Sequence, residues 1–350
     1  MIQLKVPGAL HVHRLREAVA KDGIGPQDIV ENIAIGGPAM IRSGAKNHAN
    51  VAVVVDPNDY PEILRLLSEN DGQLPSGLLR KLAAKAYAHT AAYDAAIAQW
   101  LDGERREMPE EPFFASSVAI AGEKVSDLRY GENPHQRAAY YTVGEQAATL
   151  AGAKLLGGKA LSYNNILDAD AAMQLAFEFD RTSCVIVKHN NPCGVAVADD
   201  LPRAYELALS GDPVSAFGGI LATNGTFDAK TAAAVVATGT FLEVVIAPTI
   251  EPAAIAELHK AKWGKNVRIL ELGGNPEQSG DRFVMRQVSG GFLLQTADIP
   301  PEPPKQDQAT KRGPTDAEQQ TARETERPTD RQTDREPDRQ TDRQTDRQTY

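Results

Sequence analysis

One run in the chain joins a cation, an imidazole and two carboxamides to a turn: Lys188-His189-Asn190-Asn191-Pro192-Cys193-Gly194. It follows Cys184-Val185-Ile186-Val187, which reads as a short buried strand. Polar side chains therefore emerge at a strand end, where α/β sheets tend to place ligands. An imidazole titrates near neutrality and takes a proton from an amine as it attacks. A neighbouring ammonium stabilises negative charge developing on a carbonyl oxygen. Lys188 and His189 thus suit acyl transfer to a weakly basic amine. The same spacing also describes a Lys-His pair on a polar loop, with Pro-Cys-Gly making a turn. A zinc site is a third reading, and it fails on ligand count. A zinc deaminase pairs His-x-Glu with a distant Pro-Cys-x-x-Cys. Here Asn190-Asn191 follow His189, and Cys193 lacks a second cysteine at that spacing.

Further runs carry recognition chemistry. Leu128-Arg129-Tyr130-Gly131-Glu132-Asn133-Pro134-His135-Gln136 offers a guanidinium that can grip a phosphate or carboxylate, beside a ring that can stack on a planar heterocycle. It equally describes a polar turn. Leu161-Ser162-Tyr163-Asn164-Asn165-Ile166-Leu167-Asp168 places adjacent amides where they can read a base or carboxamide edge, or cap a helix. Asp212-Pro213-Val214-Ser215-Ala216-Phe217-Gly218-Gly219 is a compact loop whose glycines permit close approach to a ligand, or only a turn.

The elements that must position these runs alternate between helix and strand, the pattern of α/β layers. Val51–Val55, stopped by Asp56-Pro57, reads as a buried, parallel strand. Gly36-Gly37-Pro38 reads as a loop feeding a helix. Helices are expected over 60–70 and 75–100, where Leu78, Leu82, Ala86 and Thr90 recur at helical spacing. The acidic, Pro-containing stretch near 102–112 reads as a domain boundary. Beyond it, strands are expected at Val118–Ile120, Cys184–Val187, Phe217–Leu221 and Glu243–Ala247, with helices within Leu161–Phe179 and at Leu201–Leu209.

Composition narrows the function classes. A length of 350 residues allows about two domains. A net charge of −10 does not favour nucleic acid or an anionic membrane, though it permits a local basic pocket for a phosphorylated small molecule. Two cysteines, Cys184 and Cys193, imply no disulfide framework and fit a reducing compartment. No apolar run reaches the roughly 18 residues of a membrane span, and the N-terminus lacks a signal-peptide core. The chain reads as soluble and cytoplasmic. Past residue 300 apolar side chains almost vanish, so burial cannot offset the entropy of ordering, and a disordered tail is expected. Its end repeats Thr-Asp-Arg-Gln at 341–344 and 345–348. The tetranucleotide ACAG read in triplets encodes that word, so the tail reads as a translated microsatellite; a solvated linker is the alternative.

In order, Arg129–Gln136, Ser162–Asn165, Lys188–Gly194, Ser215–Gly219 and Val245–Pro248 together resemble the bifunctional purine biosynthesis family, AICAR transformylase/IMP cyclohydrolase. Ser289–Gln295 resembles the family's next block, and Glu31–Pro38 through Lys46-Asn47-His48 resembles the end of its cyclohydrolase domain. The resemblance runs from about Leu15 to Asp298. It implies an α/β chain: a methylglyoxal synthase-like remnant over 1–110, the first cytidine deaminase-like transformylase subdomain over 115–298, then a disordered tail over 299–350. It implies formyl transfer from 10-formyltetrahydrofolate to the 5-amino group of AICAR, without zinc, in a homodimer with sites between subunits. The partners implied are small molecules, with neither nucleic acid nor membrane. Carried over by motif, His189 is the base for the attacking amine and Lys188 assists it and the formyl oxygen. Arg129 and Tyr130 hold AICAR, helped by Asn165, Phe217, Gly218 and Glu243.

Departures from the pattern set further expectations. The family's N-terminal phosphate loop and Lys-Thr segment have no counterpart, and Arg14-Leu15-Arg16 stands where Tyr-Pro-Phe is expected. Ala34 stands where the family carries Asp, a residue of the ring-closing site, while Gly36, Gly37 and Lys46 remain in register. The second transformylase subdomain has no counterpart after Asp298. The expectation is a chain shortened at both ends, with formyl transfer as its ancestral activity and cyclohydrolase activity lost. The alternative is a non-catalytic remnant that binds nucleotide or dimerises with an intact copy.

Overall fold

Apolar runs that read as continuous, rather than alternating, come together in a sheet buried on both faces. The computed structural model describes residues 25–106, 112–144, 147–276 and 283–298, with the single position 315. The chain divides into two compact units between Glu123 and Lys124. The expected disordered tail, apart from Thr315, lies outside the described residues.

The first unit contains helices α1 (Pro26–Glu31), α2 (Gly36–Lys46), α3 (Tyr60–Glu69) and α4 (Ser76–Arg106). Pro38 sits in the first turn of α2, as its fixed φ favours. The strand expected at Val51–Val55 does not form a ladder among the described residues. Its burial still has strand periodicity. Val53 and Val55 pack with Ile41, Ala45, Ala83 and Ala86. Ala52 and Val54 pack with Ile63, Leu74, Leu78 and Leu82. A ladder needs a second strand, and what flanks this segment on both sides is helix. Its end is fixed electrostatically: the Lys85 ammonium lies 2.6 Å from Asp56 and 2.8 Å from Asp59. Val118–Ile120 also forms no strand; Gln99 Nε2 donates to the Ala119 carbonyl at 2.9 Å instead.

The second unit holds β1 (Glu123–Leu128, beginning at the division), β2 (Ala138–Thr142), β3 (Lys154–Gly157), α5 (Tyr163–Ala176), β4 (Ser183–Lys188), β5 (Asn191–Val197) and α6 (Leu201–Gly211). It continues with β6 (Gly219–Thr223), α7 (Ala229–Thr238), β7 (Leu242–Ala247), α8 (Pro252–Leu258), β8 (Arg268–Glu271), β9 (Phe283–Val288) and β10 (Gly291–Thr296). Six strands make one sheet in the order β3-β8-β7-β6-β4-β5. It is mixed: β6, β7 and β8 run parallel, while β4 is antiparallel to both its neighbours and β3 to β8. β1 pairs with β2, and β9 with β10, as separate two-stranded sheets.

The helices cover both faces of the central sheet. Val185, Val187, Ile220, Val244 and Leu270 pack under Ala169, Ala172, Met173 and Ala176 of α5. Cys184, Ile186, Leu221, Val245 and Ile269 pack against Tyr205, Ala208, Val235 and Leu258 of α6–α8. Among the described residues no helix is long and apolar enough to cross a membrane.

The β5–α6 contact is closest at Gly194, where a Cβ would lie 1.9 Å from the Ala208 carbonyl oxygen. Backbone must move to admit it, so Gly194→Ala should cost about 3 kcal/mol. Urea unfolding followed by Trp263 fluorescence in a Trp100→Phe background measures this. An unchanged midpoint would refute the packing described.

Candidate active site

β4 is buried from Ser183 to Val187 and becomes partly exposed at Lys188. The chain then reverses into β5 through His189 and Asn190, both exposed and both left-handed, with φ of 54° and 61°. Non-glycine residues rarely take such angles. The buried carboxylate of Asp168, on α5, accepts from both turn amides: His189 N–H to Oδ2 at 3.2 Å and Asn190 N–H to Oδ1 at 2.8 Å. Asn191 Nδ2 closes the turn on the His189 carbonyl at 2.9 Å. The run that spacing left open as a polar turn is therefore a turn, and one tied to a helix.

Because β4 is antiparallel to β6, its carboxyl end lies beside the amino ends of β6, β7 and β8. The polar groups gather at that edge. Of the six strands, the antiparallel β4 and β3 present carboxyl ends there while the parallel β6, β7 and β8 present amino ends, so the site departs from the rule for parallel sheets. Lys188 Nζ donates to the Phe217 carbonyl at 2.7 Å. Phe217 is exposed and stacks edge-on against Phe241, with ring centroids 5.5 Å apart. Gly218, at φ 77°, donates its N–H to the Phe241 carbonyl at 2.7 Å. The strand expected from Phe217 begins instead at Gly219, because 217–218 form this turn.

Asn165 takes the helix-capping role expected of its type and pairs with a carboxylate besides. With Ser162 it makes the capping box of α5: Asn165 N–H donates to Ser162 Oγ at 3.2 Å, and Ser162 N–H to Asn165 Oδ1 at 3.1 Å. Its Nδ2 donates to Glu243 Oε2 at 2.9 Å. Arg268 joins the same oxygen through Nη1 at 3.3 Å, and its Nε donates to the Ala160 carbonyl at 3.2 Å. The Arg268 side chain is only 9% exposed, against 39% for Glu243. Sequence reading missed Arg268. The available signal was one charge in the apolar run Val267-Arg268-Ile269-Leu270.

Arg129 and Tyr130 follow β1, and the Arg129 guanidinium carbon lies 5.5 Å from the Tyr130 ring centroid. Their loop closes on itself through Gly131 N–H to the Gln136 carbonyl at 3.0 Å and Asn133 N–H to Gln136 Oε1 at 2.7 Å. Asn164 Nδ2 reaches the Glu132 carbonyl at 3.5 Å, linking the loop to the start of α5. Cys193 donates through Sγ to the Ile186 carbonyl at 3.4 Å, and burial pushes its thiol pKa up. Among the described residues no group of three His, Cys, Asp or Glu side chains is placed to hold a metal.

In the first unit, Gly36 and Gly37 open α2 and Lys46 ends it. At a rise of 1.5 Å per residue these positions stand about 15 Å apart along the helix. The Ala34 N–H donates to the Tyr93 hydroxyl at 2.6 Å.

A family model described as AICARFT/IMPCHase bienzyme matches residues 44–325. The match begins after Glu31–Pro38 and extends past Asp298. The chain is 46% identical over 322 residues to the bifunctional purine biosynthesis protein PurH of Myxococcus xanthus, covering 90% of this chain and 60% of that relative. It is 48% identical over 306 residues to PurH of Bradyrhizobium diazoefficiens, covering 86% of this chain and 56% of that relative. PurH of Brucella ovis is 50% identical over 293 residues, covering 83% of this chain and 53% of the relative. The chain thus spans between half and three fifths of the length of these relatives.

The site geometry makes two predictions. Glu243→Ala leaves the Arg268 guanidinium in place without its carboxylate. Breaking a wholly buried pair costs about 3–5 kcal/mol; with Glu243 partly exposed, about 2 kcal/mol is expected in chemical unfolding, and less for Glu243→Gln. Equal stability in parent and both variants would refute the ion pair. The second concerns Asp212, whose pKa is held below its ordinary 3.8 by the Ser215 hydroxyl and amide, and then by the Val214 amide. A depressed carboxylate contributes order above 3.8 and loses it as pH falls through the folded value. The Val214 and Ser215 amide resonances should hold steady down to that range and then shift together; independent drift from neutral pH would contradict this.

Proposed function

The chain belongs to the AICARFT/IMPCHase bienzyme family, and from that premise we propose that its second unit transfers the formyl group of 10-formyltetrahydrofolate to the 5-amino group of AICAR. The amine nitrogen attacks the formyl carbon. His189 takes the proton that the amine loses and returns it to the folate N10 as the tetrahedral adduct collapses to formyl-AICAR and tetrahydrofolate. Lys188 stabilises the negative charge on the formyl oxygen. The observation that carries this reading is the pairing of an exposed imidazole and a partly exposed ammonium at the end of a strand otherwise wholly buried. Burial below the site supplies rigidity, and exposure above it admits substrates.

On this reading Arg129 binds the AICAR phosphate, and Tyr130, Phe217, Gly218 and Glu243 line the heterocycle. Glu243 Oε2 is engaged by Asn165 and Arg268, while Oε1 takes no hydrogen bond among the described residues. It is the atom suited to an AICAR amino group. Asn165 acts through Glu243, since its own amide is committed to Ser162 and Glu243. The first unit is methylglyoxal synthase-like and the second is a cytidine deaminase-like transformylase subdomain. The assembly is a cytoplasmic homodimer. Cyclohydrolase activity is lost: Ala34 supplies no acid, base or side-chain hydrogen bond, and Gly36, Gly37 and Lys46 persist as a remnant.

Purified chain mixed with AICAR and 10-formyltetrahydrofolate should yield formyl-AICAR and tetrahydrofolate. His189→Ala should lower kcat about 10²–10⁴-fold. Nucleotide binding with no product would favour the non-catalytic reading and sink this one. Formyl-AICAR supplied directly should give no IMP above the uncatalysed rate, and enzymatic turnover there would refute the loss of cyclohydrolase activity.

A further inference from the structure

Asp168 is buried, charged and not a member of the proposed dyad, yet it makes the contacts that shape the dyad's backbone. Its oxygens divide the work: Oδ2 accepts from His189 N–H at 3.2 Å and Oδ1 from Asn190 N–H at 2.8 Å. The Asn190 side-chain amide lies 3.2 Å from Oδ1 and from the Leu167 carbonyl, and both accept from it once its nitrogen is set inward. The two amides belong to consecutive left-handed residues, at φ 54° and 61°. Such a conformation persists only where its surroundings over-determine it. Here the surroundings are the Lys188–Asn191 antiparallel pair, whose two-residue loop takes positive φ at both positions, the Asn191 amide on the His189 carbonyl, and the Asp168 carboxylate, which takes both turn N–H groups.

Asp168 is held firmly enough to do this. It lies near the start of α5, whose first turn carries the Ser162–Asn165 capping box. Asn165 ties that turn to Glu243 on β7, and Glu243 is tied to Arg268 on β8. Ala169 and Ala172 press the helix onto the sheet under Val185 and Val187 of β4. The same helix therefore packs on the strand that delivers Lys188 and clamps the turn that follows it.

We infer that Asp168 is a positioning residue for formyl transfer: its carboxylate fixes the left-handed His189–Asn190 turn from which the Lys188 and His189 side chains depart. This rests on the transformylase reading above. A carboxamide cannot replace it. Asn offers one acceptor oxygen and sets an NH₂ group against the second backbone N–H, so Asp168→Asn keeps the volume and removes half of the clamp.

The test compares the wild-type chain with Asp168→Asn and Asp168→Glu. Transformylase kcat and the KM for AICAR are measured separately, beside thermal unfolding. For Asp168→Asn, kcat should fall about 10–100-fold, the cost of a small misplacement of reacting groups, with KM nearly unchanged. Asp168→Glu, which restores two acceptor oxygens, should recover part of kcat. A folded Asp168→Asn with wild-type kcat overturns the inference and leaves the function standing. Equal deterioration of kcat and KM without recovery by Glu also overturns it, since that marks a general structural role. A wild-type chain with no turnover overturns the transformylase reading, and the positioning role with it. If Asp168→Asn does not fold, the wild-type chain supplies the measurement. The His189 and Asn190 amides should exchange slowly with solvent although both residues are exposed, and fast exchange of both overturns the clamp.

Discussion

Burial of the central sheet on both faces is the constraint on which the rest of the second unit depends. Strands β4, β6 and β7 have helices above and below them, so nearly every side chain along them is apolar. A strand with no solvated face offers no place for a polar group except at its ends. Lys188 and His189 therefore follow Val187 because that is where β4 leaves the core. The antiparallel setting of β4 then brings its exit beside the entries of β6, β7 and β8. A site assembles along one edge of the sheet from segments that are far apart in the chain.

What is polar within that edge is paired. Arg268, nearly buried, faces Glu243, and Glu243 accepts from Asn165. Desolvating a guanidinium is costly unless a carboxylate and further acceptors compensate it, and the Ala160 carbonyl supplies another. The network joins β8, β7 and α5 at the level of the site. Asp168, one turn further along α5, continues it to His189 and Asn190. Glycine completes the frame by absence: Gly194 lets β5 approach α6 to backbone contact.

The first unit has a different character. Its segment 51–55 is buried in strand fashion, alternate residues going to separate clusters, yet it has no ladder among the described residues. Packing holds it among α2, α3 and α4, with the Lys85 ion pairs to Asp56 and Asp59 at its end. The positions that the family resemblance singles out there are dispersed along α2, with Gly36 and Gly37 at one end and Lys46 at the other. Tyr93 has taken the Ala34 amide.

Sequence by itself determined the elements and the blocks. Leu78, Leu82 and Ala86 at helical spacing became α4, and Cys184–Val187 became β4, because these signals are local and are decided by which face a periodic pattern presents. The ordered runs from Arg129 to Pro248 identified the family, since their residue types survive without knowledge of the fold. Local periodicity misjudged Val51–Val55 and Val118–Ile120, because a strand exists only when a second strand accepts its hydrogen bonds. Only the tertiary structure decided which polar groups meet. Asn165 and Glu243 are 78 positions apart, Arg268 and Glu243 are 25 apart, and Asp168 reaches back from His189 across 21. Those separations close through strand order and register, which no window of sequence contains. That is why Asp168 was given no role at the end of the Leu161–Asp168 run, and why Arg268 passed unnoticed in an apolar strand.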